Sequence, residues 1–136
     1  MGNVYAEITL ENSGDVVNVK RGILTDKDVR SVTTTALVDT GAISLIINED
    51  VCQQLGLEIE CTRKARLANG SRVECKITEP IKIHWKNRDA VSQAVVLPGS
   101  DVLLGVIPLE FMDLIVDPVS ETLVGAHGDR IVYRLF

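Results

Sequence analysis

Aromatic residues are scarce in this chain of 136 residues, at 4% of the sequence, and only two histidines are present. A net charge of −5 gives no basic surface of the kind that binds nucleic acid, so a nucleic-acid partner is not expected. No apolar run reaches the roughly 18 residues that a membrane-spanning helix needs. The histidines have no partners at metal-ligand spacing, and no phosphate-binding or dinucleotide-binding glycine pattern occurs. The sequence therefore predicts no metal, no cofactor and no membrane partner.

Cysteine is also sparse, and its three copies at Cys52, Cys61 and Cys75 form an odd set without Cys-x-x-Cys spacing. Such a set is typical of free thiols in a reducing compartment. The first ten residues lack the positive segment and apolar segment of a secretory signal peptide. Together these features predict a cytoplasmic location.

The composition is that of an ordinary globular protein, with 46% hydrophobic and 24% charged residues. The length suits one domain with a sizeable core, and the sequence contains no internal repeat and no linker. We therefore expect a single domain over residues 1–136.

Residues 36–42, with the sequence Ala-Leu-Val-Asp-Thr-Gly-Ala, form the most informative segment. The β-branched run that precedes it, residues 32–38, predicts a strand. Gly41 favours a tight turn directly after it. A carboxylate at the end of a buried strand is costly unless it has a use, so Asp39 is a candidate functional residue. The alternative is that Asp39 only begins a turn, as aspartate often does.

Strands are the main elements predicted before residue 60. Alternating apolar residues indicate a strand over 4–10, and a return strand is expected over 16–19. A short apolar strand is expected over 44–47. Asn48 is a typical helix N-cap, so a helix is expected to follow it and to end at Gly56. This is the only helix that the sequence predicts before residue 105.

Residues 63–76 predict a hairpin, because Asn69-Gly70 lies between apolar residues and suits a type I′ turn with positive φ at both positions. The hairpin could be an ordinary surface feature or a flap over a site. The basic residues Arg63, Lys64 and Arg66 could be solvated or could favour acidic substrates.

The remaining segments predict strands and one short helix. Residues 84–89 are expected to form a polar turn, and residues 90–97 a strand. Pro108 suits the first turn of a helix over 109–112. Segments 114–116 and 122–124 suggest a hairpin, and residues 131–136 a last strand that must be paired.

Several of these segments resemble the aspartic proteases in matching order. The resembling segments are Asp-Thr-Gly-Ala at 39–42, the helix and leucine at 51–57, Leu-Ala-Asn-Gly at 67–70, Val-Leu-Pro-Gly at 96–99 and Val-Leu-Leu-Gly at 102–105. The chain contains a single Asp-Thr-Gly, as do the proteins of the retropepsin-like group, in which two identical chains supply one aspartate each. Within this group, the sequence resembles the small bacterial members.

The resemblance implies an all-β, single-lobe acid-protease fold: a closed β-barrel with one or two short helices, forming a homodimer. It implies aspartic endopeptidase activity on a peptide or protein substrate, without metal. The implied site residues are Asp39 as general acid and base, Thr40, Gly41 and Ala42 in its loop, Leu67, Ala68, Asn69 and Gly70 in the flap, and Leu103, Leu104 and Gly105 beneath the loop.

Two readings of the function remain open at this point. Two carboxylates that share one proton can activate water and polarise a carbonyl, which explains why a single Asp39 implies two chains. The alternative is a catalytically silent module that kept the fold and only binds peptides or dimerises, because fold does not imply function.

Overall fold

The structure is a computed structural model that describes residues 3–99 and 101–133, and it is mostly β. The strands are β1 (Val4–Asn12), β2 (Ser31–Val38), β3 (Leu45–Ile47), β4 (Ile59–Arg66), β5 (Arg72–Thr78), β6 (Ile81–Trp85), β7 (Arg88–Ser92), β8 (Ala94–Val96), β9 (Leu103–Leu104), β10 (Leu114–Asp117) and β11 (Thr122–Gly125). The helices are α1 (Ser13–Lys20), α2 (Glu49–Gln54) and α3 (Val106–Phe111), with a 3₁₀ turn at Asp26–Asp28. The described residues thus contain three short α-helices, where one or two were expected.

Among the described residues, nine strands form one sheet in the order β4-β5-β8-β3-β9-β2-β1-β6-β7, and β10 and β11 form a separate hairpin. β1 pairs antiparallel with both β2 and β6. β9 pairs parallel with β2 and antiparallel with β3. This arrangement places β9 between the two strands that enter and leave the Asp39 turn.

The predicted alternation along β1 is confirmed. Val4, Ala6, Ile8 and Leu10 are all buried, and the residues between them are more exposed. Burying a side chain of the size of Ile8 or Leu10 contributes about 1.5–3 kcal/mol each. The buried side chains of β1 join one apolar cluster that also receives residues from β2, β3, β6 and β8.

The strand expected over 16–19 is wrong, because this segment belongs to α1. The Asn12 side chain accepts a hydrogen bond from the Asp15 amide at 3.1 Å and caps the helix, and Asn12 also donates to the Leu55 carbonyl. Asp15 is buried and forms an ion pair with Arg30 at 2.8 Å. The helix cap and the ion pair of the buried Asp15 with the half-exposed Arg30 therefore outweigh the β preference of the valines.

The helix capped by Asn48 is confirmed as α2, with the Asn48 side chain accepting from the Val51 amide at 2.8 Å. The hairpin of β4 and β5 is confirmed too, but its predicted type I′ turn is wrong. Gly70 has a φ of 84°, and Asn69 is not among the described residues with positive φ. Instead, the Gly70 amide donates to the Leu67 carbonyl at 2.9 Å, and Ser71 donates to the Asn69 side chain. A longer turn with one left-handed glycine closes the hairpin.

The polar turn expected over 84–89 is shorter than predicted, because β6 continues to Trp85 and β7 begins at Arg88. Lys86 has a φ of 51° in the resulting two-residue turn. The strand expected over 90–97 is divided into β7 and β8 at Gln93. The Ala94 amide donates to the buried Thr78 hydroxyl at 3.0 Å, at the point where the chain leaves β7 at one end of the strand order and enters β8 next to β5.

The helix near Pro108 and the hairpin of β10 and β11 are confirmed. The last strand, expected over 131–136, is absent from Ile131–Tyr133 among the described residues, and residues 134–136 lie outside them. The Val132 amide donates to the Asp113 carboxylate at 3.0 Å and joins no strand ladder. Within the described ranges, no helix has the length and apolar character required to cross a bilayer.

Candidate active site

Asp39 follows directly after β2 and lies in a turn fixed by hydrogen bonds. Its amide donates to the Leu104 carbonyl at 3.1 Å, which continues the β2–β9 pairing by one residue. Its carboxylate accepts from the Gly41 amide at 2.9 Å, and its carbonyl accepts from the Ala42 amide at 3.1 Å. Asp39 as a residue is half-buried, and Thr40 and Gly41 are exposed. The turn therefore presents an oriented carboxylate at the surface of the chain.

The α3 segment holds the other side of this turn. The Val106 amide donates to the Ala42 carbonyl and the Ile107 amide to the Ile43 carbonyl, both at 2.9 Å. These are amides of the first turn of a helix, which have no partner within the helix itself. The Asp39 loop is thus fixed by β9 on one side and by the start of α3 on the other.

Gly105 lies where these two supports meet. A Cβ atom on Gly105 would overlap the Ser44 carbonyl oxygen and lie 2.8 Å from the Ala42 carbonyl oxygen. Leu104 is fully buried and Leu103 half-buried. The structure therefore brings Leu103, Leu104 and Gly105 against the loop of Asp39.

An apolar stripe crosses the sheet next to Asp39, on the face opposite the core. Its residues are half-buried and lie in register on neighbouring strands, and they are Leu37 on β2, Leu103 on β9, Ile46 on β3, Val95 on β8 and Ile77 on β5. Because side chains alternate along a strand, Asp39 continues the face of Leu37. Half-buried apolar side chains in a row beside a carboxylate form a surface that suits an extended peptide.

The stripe ends at a cavity of about 350 Å³ whose lining includes residues of β4, β5 and β8. Ile77, Val95, Ser44, Gln93 and Arg63 are among its lining residues. Arg63 is exposed, and no carboxylate of the described residues lies within 4 Å of its guanidinium group. The cavity therefore combines apolar walls with one available positive charge.

The predicted flap residues lie at the tip of the β4–β5 hairpin. Leu67 is 38% exposed, and Ala68, Asn69 and Gly70 are exposed as well. The hydrogen bonds described for this tip stay within residues 67–71. The hairpin is joined to the stripe through β8, with Lys76 and Ile77 opposite Val96 and Val95.

Sequence reasoning missed the apolar stripe, because its members are far apart in the sequence and only the strand register brings them together. It also assigned Arg88 to a turn. This arginine is 4% exposed and donates to the carbonyls of Met112, Asp113 and Gly128. The sequence shows only a charged residue at the start of a strand, and this does not predict that Arg88 is buried and donates to backbone carbonyls.

The described residues contain no group of three or more histidine, cysteine or acidic side chains that could hold a metal ion. Each histidine pairs with one carboxylate. His84 Nε2 lies 2.5 Å from Glu11, and His127 Nδ1 lies 2.7 Å from Asp113. Both pairs are explained as local structural contacts.

Comparison with known proteins gives one result that matches this geometry. No curated protein matches the chain. A family model described as gag-polyprotein putative aspartyl protease matches residues 25–110, a range that includes Asp39, the β4–β5 hairpin and Gly105. The chain therefore belongs to this retropepsin-like aspartyl protease family.

Proposed function

We propose that this protein is an aspartic endopeptidase that works as a homodimer, with Asp39 of each copy forming the catalytic pair. The observation that carries the proposal is the Asp39 turn, in which the Gly41 amide orients the Asp39 carboxylate at the edge of the apolar stripe. Thr40, Gly41 and Ala42 shape this loop, and Leu103, Leu104 and Gly105 support it. The unit of function is a single domain over residues 1–136.

The other acids near the end of the sheet are poor candidates for the second carboxylate. The Val132 amide and His127 hold the pKa of Asp113 below its ordinary value, and the Val119 amide does the same for the pKa of Asp117. Both carboxylates already accept structural hydrogen bonds. A second copy of Asp39, brought close by a two-fold axis, supplies the missing acid without using them.

The proposed reaction needs only this pair and a water molecule. Two adjacent carboxylates cannot both ionise, so one is charged and the other protonated. The charged carboxylate takes a proton from water as the water oxygen bonds to the peptide carbonyl carbon, and the protonated one donates to the carbonyl oxygen. When the tetrahedral intermediate breaks its C–N bond, the charged carboxylate takes a hydroxyl proton and the other protonates the leaving nitrogen. The pair again shares one proton.

The apolar stripe and the cavity are the proposed peptide-binding surface. An extended peptide lying along Leu37, Leu103 and Ile46 passes beside Asp39, and its apolar side chains cover the stripe. Leu67, Ala68, Asn69 and Gly70 form the flap that closes over the peptide and excludes water. Arg63 gives the cavity a preference for an acidic side chain, because its charge has no carboxylate partner among the described residues.

We further propose that the nine-stranded sheet curls around its core as a barrel. Ala90 of β7 and Val96 of β8 belong to the same buried cluster, although they lie toward opposite ends of the strand order. A cytoplasmic location is supported by the free thiols of Cys52, Cys61 and Cys75. Cys52 is buried, and burial raises the pKa of its thiol, so Cys52 is a poor candidate for a nucleophile.

A second candidate is a module that binds peptides and does not cleave them, because the stripe and the cavity would serve that role equally well. Digestion of a mixed peptide library by the parent, Asp39→Asn and the matched control Asp89→Asn separates the two. Asp89 is an exposed carboxylate on β7. The endopeptidase proposal predicts cleavage by the parent and by Asp89→Asn, and none by Asp39→Asn, with all three folded. Peptide binding without cleavage by the parent would favour the silent module.

A further inference from the structure

The β4–β5 hairpin concentrates positive charge in a chain that is acidic elsewhere. Residues 60–76 carry five basic and two acidic side chains, a net charge of +3, whereas the whole chain has a net charge of −5. The residues outside the hairpin therefore have a net charge of −8. The proposed function uses only Arg63 of these basic residues, and the other four are not among the lining residues of its cavity.

These four basic residues lie together on one face of the hairpin. In the strand register, Arg66 lies opposite Arg72, and Lys64 lies opposite Glu74. Because side chains alternate along a strand, this face is opposite to the one on which Arg63 lines the cavity. We call this surface the basic face, and its residues, all exposed, are Thr62, Lys64, Arg66, Arg72, Glu74 and Lys76.

Most of the positive charge on the basic face is not neutralised within the chain. Lys76 Nζ lies 3.8 Å from the Glu49 carboxylate, and both side chains are more than half exposed. Among the described residues, no carboxylate lies within 4.0 Å of the charged groups of Lys64, Arg66 or Arg72. The face therefore has positive charge available for a partner.

The two arginines give this charge a specific geometry. The Leu67 amide donates to the Ser71 carbonyl at 2.8 Å. The next pair along the strands, Arg66 and Arg72, is therefore a non-hydrogen-bonded pair, in which opposing side chains are closest. Like charges directly opposite each other are unfavourable in a sheet. A carboxylate between two guanidinium groups removes this repulsion and can accept paired hydrogen bonds, so the pair is suited to bind an anion.

We propose that the basic face binds an acidic segment of the protein substrate, outside the surface on which cleavage occurs. The proposal rests on the proposed function, because it assigns the bound segment to the molecule that is cleaved. β4 is at one end of the strand order, so a substrate chain that leaves the apolar stripe can pass around the edge of β4 to the basic face. Carboxylates at alternate positions of an extended segment repeat at about 7 Å, as do Lys64 and Arg66 along β4.

The size of the basic face favours a short acidic segment over a long polyanion. β4 has eight residues and β5 has seven, so the hairpin strands are about 25 Å long. An acidic segment of about seven extended residues fits within this length. A nucleic acid that extends beyond the hairpin meets the part of the chain whose net charge is −8, which repels it.

Cleavage of two peptides tests the proposal. Both contain one apolar segment that the parent cleaves, a spacer of about six residues that spans about 20 Å, and a tail of repeated Glu-Ser or Gln-Ser, attached to each end in turn. We expect the parent to show a KM at least about tenfold lower for the glutamate tail at similar kcat, because docking outside the cleavage site adds uniform binding.

Two double variants locate the effect. Arg66→Gln with Arg72→Gln should abolish the difference in KM between the two tails. Arg21→Gln with Lys27→Gln is the matched control, because it removes two exposed charges outside the hairpin, and it should keep the difference. Circular dichroism checks that both variants are folded. Equal KM values for the two tails with the parent, or the same difference in both variants, would overturn the proposal.

Binding of the free tails, measured by fluorescence anisotropy, separates this proposal from the proposed function. The Glu-Ser peptide alone should bind the parent and the control, and bind the arginine variant at least about tenfold more weakly. A single-stranded oligonucleotide that binds more tightly than this peptide, and only when both arginines are present, would assign the face to nucleic acid instead. Peptide binding that requires the arginines, in a protein that cleaves no peptide, would support the acidic docking surface and contradict the endopeptidase proposal.

Discussion

Gly105 lies against the carbonyl oxygen of Ser44 so closely that no side chain fits between them. The φ of Gly105 is −90°, a value open to every residue, so glycine is required here by the close approach of two backbones and not by its own conformation. Because Ala42 also faces this position, the contact fixes how β9 and α3 support the loop of Asp39.

Gly105→Ala is therefore expected to disturb the site as well as the fold. The added methyl meets backbone atoms that cannot rotate away, so we expect a loss of about 3 kcal/mol in the free energy of unfolding. A displacement of about 1 Å in the loop lowers cleavage up to about a hundredfold. Gly22→Ala is the control, because Gly22 has a φ of 75° and open space around it. We expect this variant to lose about 1 kcal/mol in the free energy of unfolding because of its positive φ, and to keep its activity. Denaturant unfolding measures the stability of both variants, and a peptide-cleavage assay measures their activity. Equal effects of the two substitutions would contradict the close approach of Gly105 to the Ser44 and Ala42 carbonyls as the reason for glycine at this position.

The sequence predicted those parts of the fold that local patterns determine. The alternation of β1, the cap at Asn48 and the glycine after Leu104 each depend on a few neighbouring residues. The Asp39 segment could be found because its loop is built from consecutive residues.

The elements that were missed depend on distant partners. The valines of α1 favour a strand locally. The helix there depends on the ion pair of Asp15 with Arg30 and on the two hydrogen bonds of the Asn12 side chain. At the break between β7 and β8, the Ala94 amide donates to the Thr78 hydroxyl, 16 residues away in the sequence. The apolar stripe exists only through the register of five strands.

Activity is expected to depend steeply on protein concentration. A single chain holds half of the proposed site, so far below the dimer dissociation constant a tenfold dilution lowers the cleavage rate about a hundredfold. The measurement is the rate on one peptide over a dilution series, with sedimentation over the same range. A rate that stays proportional to total protein while the protein is monomeric would refute the paired-aspartate site.

Arg88 is expected to be a main support of the segment around β10. It is buried, and its guanidinium group donates to three carbonyls at the end of α3 and in the loop after β11. Arg88→Met leaves those oxygens without their charged donor, so we expect a loss of about 3 kcal/mol in the free energy of unfolding. Arg21→Met, at an exposed position, is expected to change it by less than about 0.5 kcal/mol. Comparable stability of the two variants in a denaturant titration would show that Arg88 is dispensable.

The Asp15–Arg30 pair is expected to make stability depend on pH in the acid range. The hydrogen bond from the Arg30 side chain holds the pKa of Asp15 below its ordinary value of 3.8. A carboxyl group with a lower pKa in the folded state binds protons more readily when unfolded. Its contribution is therefore complete above pH 3.8 and is lost as the pH falls through the folded-state pKa.

Asp15→Asn tests this sign directly. At neutral pH we expect the variant to be less stable than the parent by about 1–2 kcal/mol, a range that allows for the 51% exposure of the Arg30 side chain. The difference should shrink as the pH falls below 3.8, because the parent then loses the charge that the variant never had. Asp89→Asn, which replaces an exposed carboxylate, should stay within about 0.5 kcal/mol of the parent at every pH. A difference between parent and Asp15→Asn that is constant from neutral pH into strong acid would show that the ion pair does not stabilise α1.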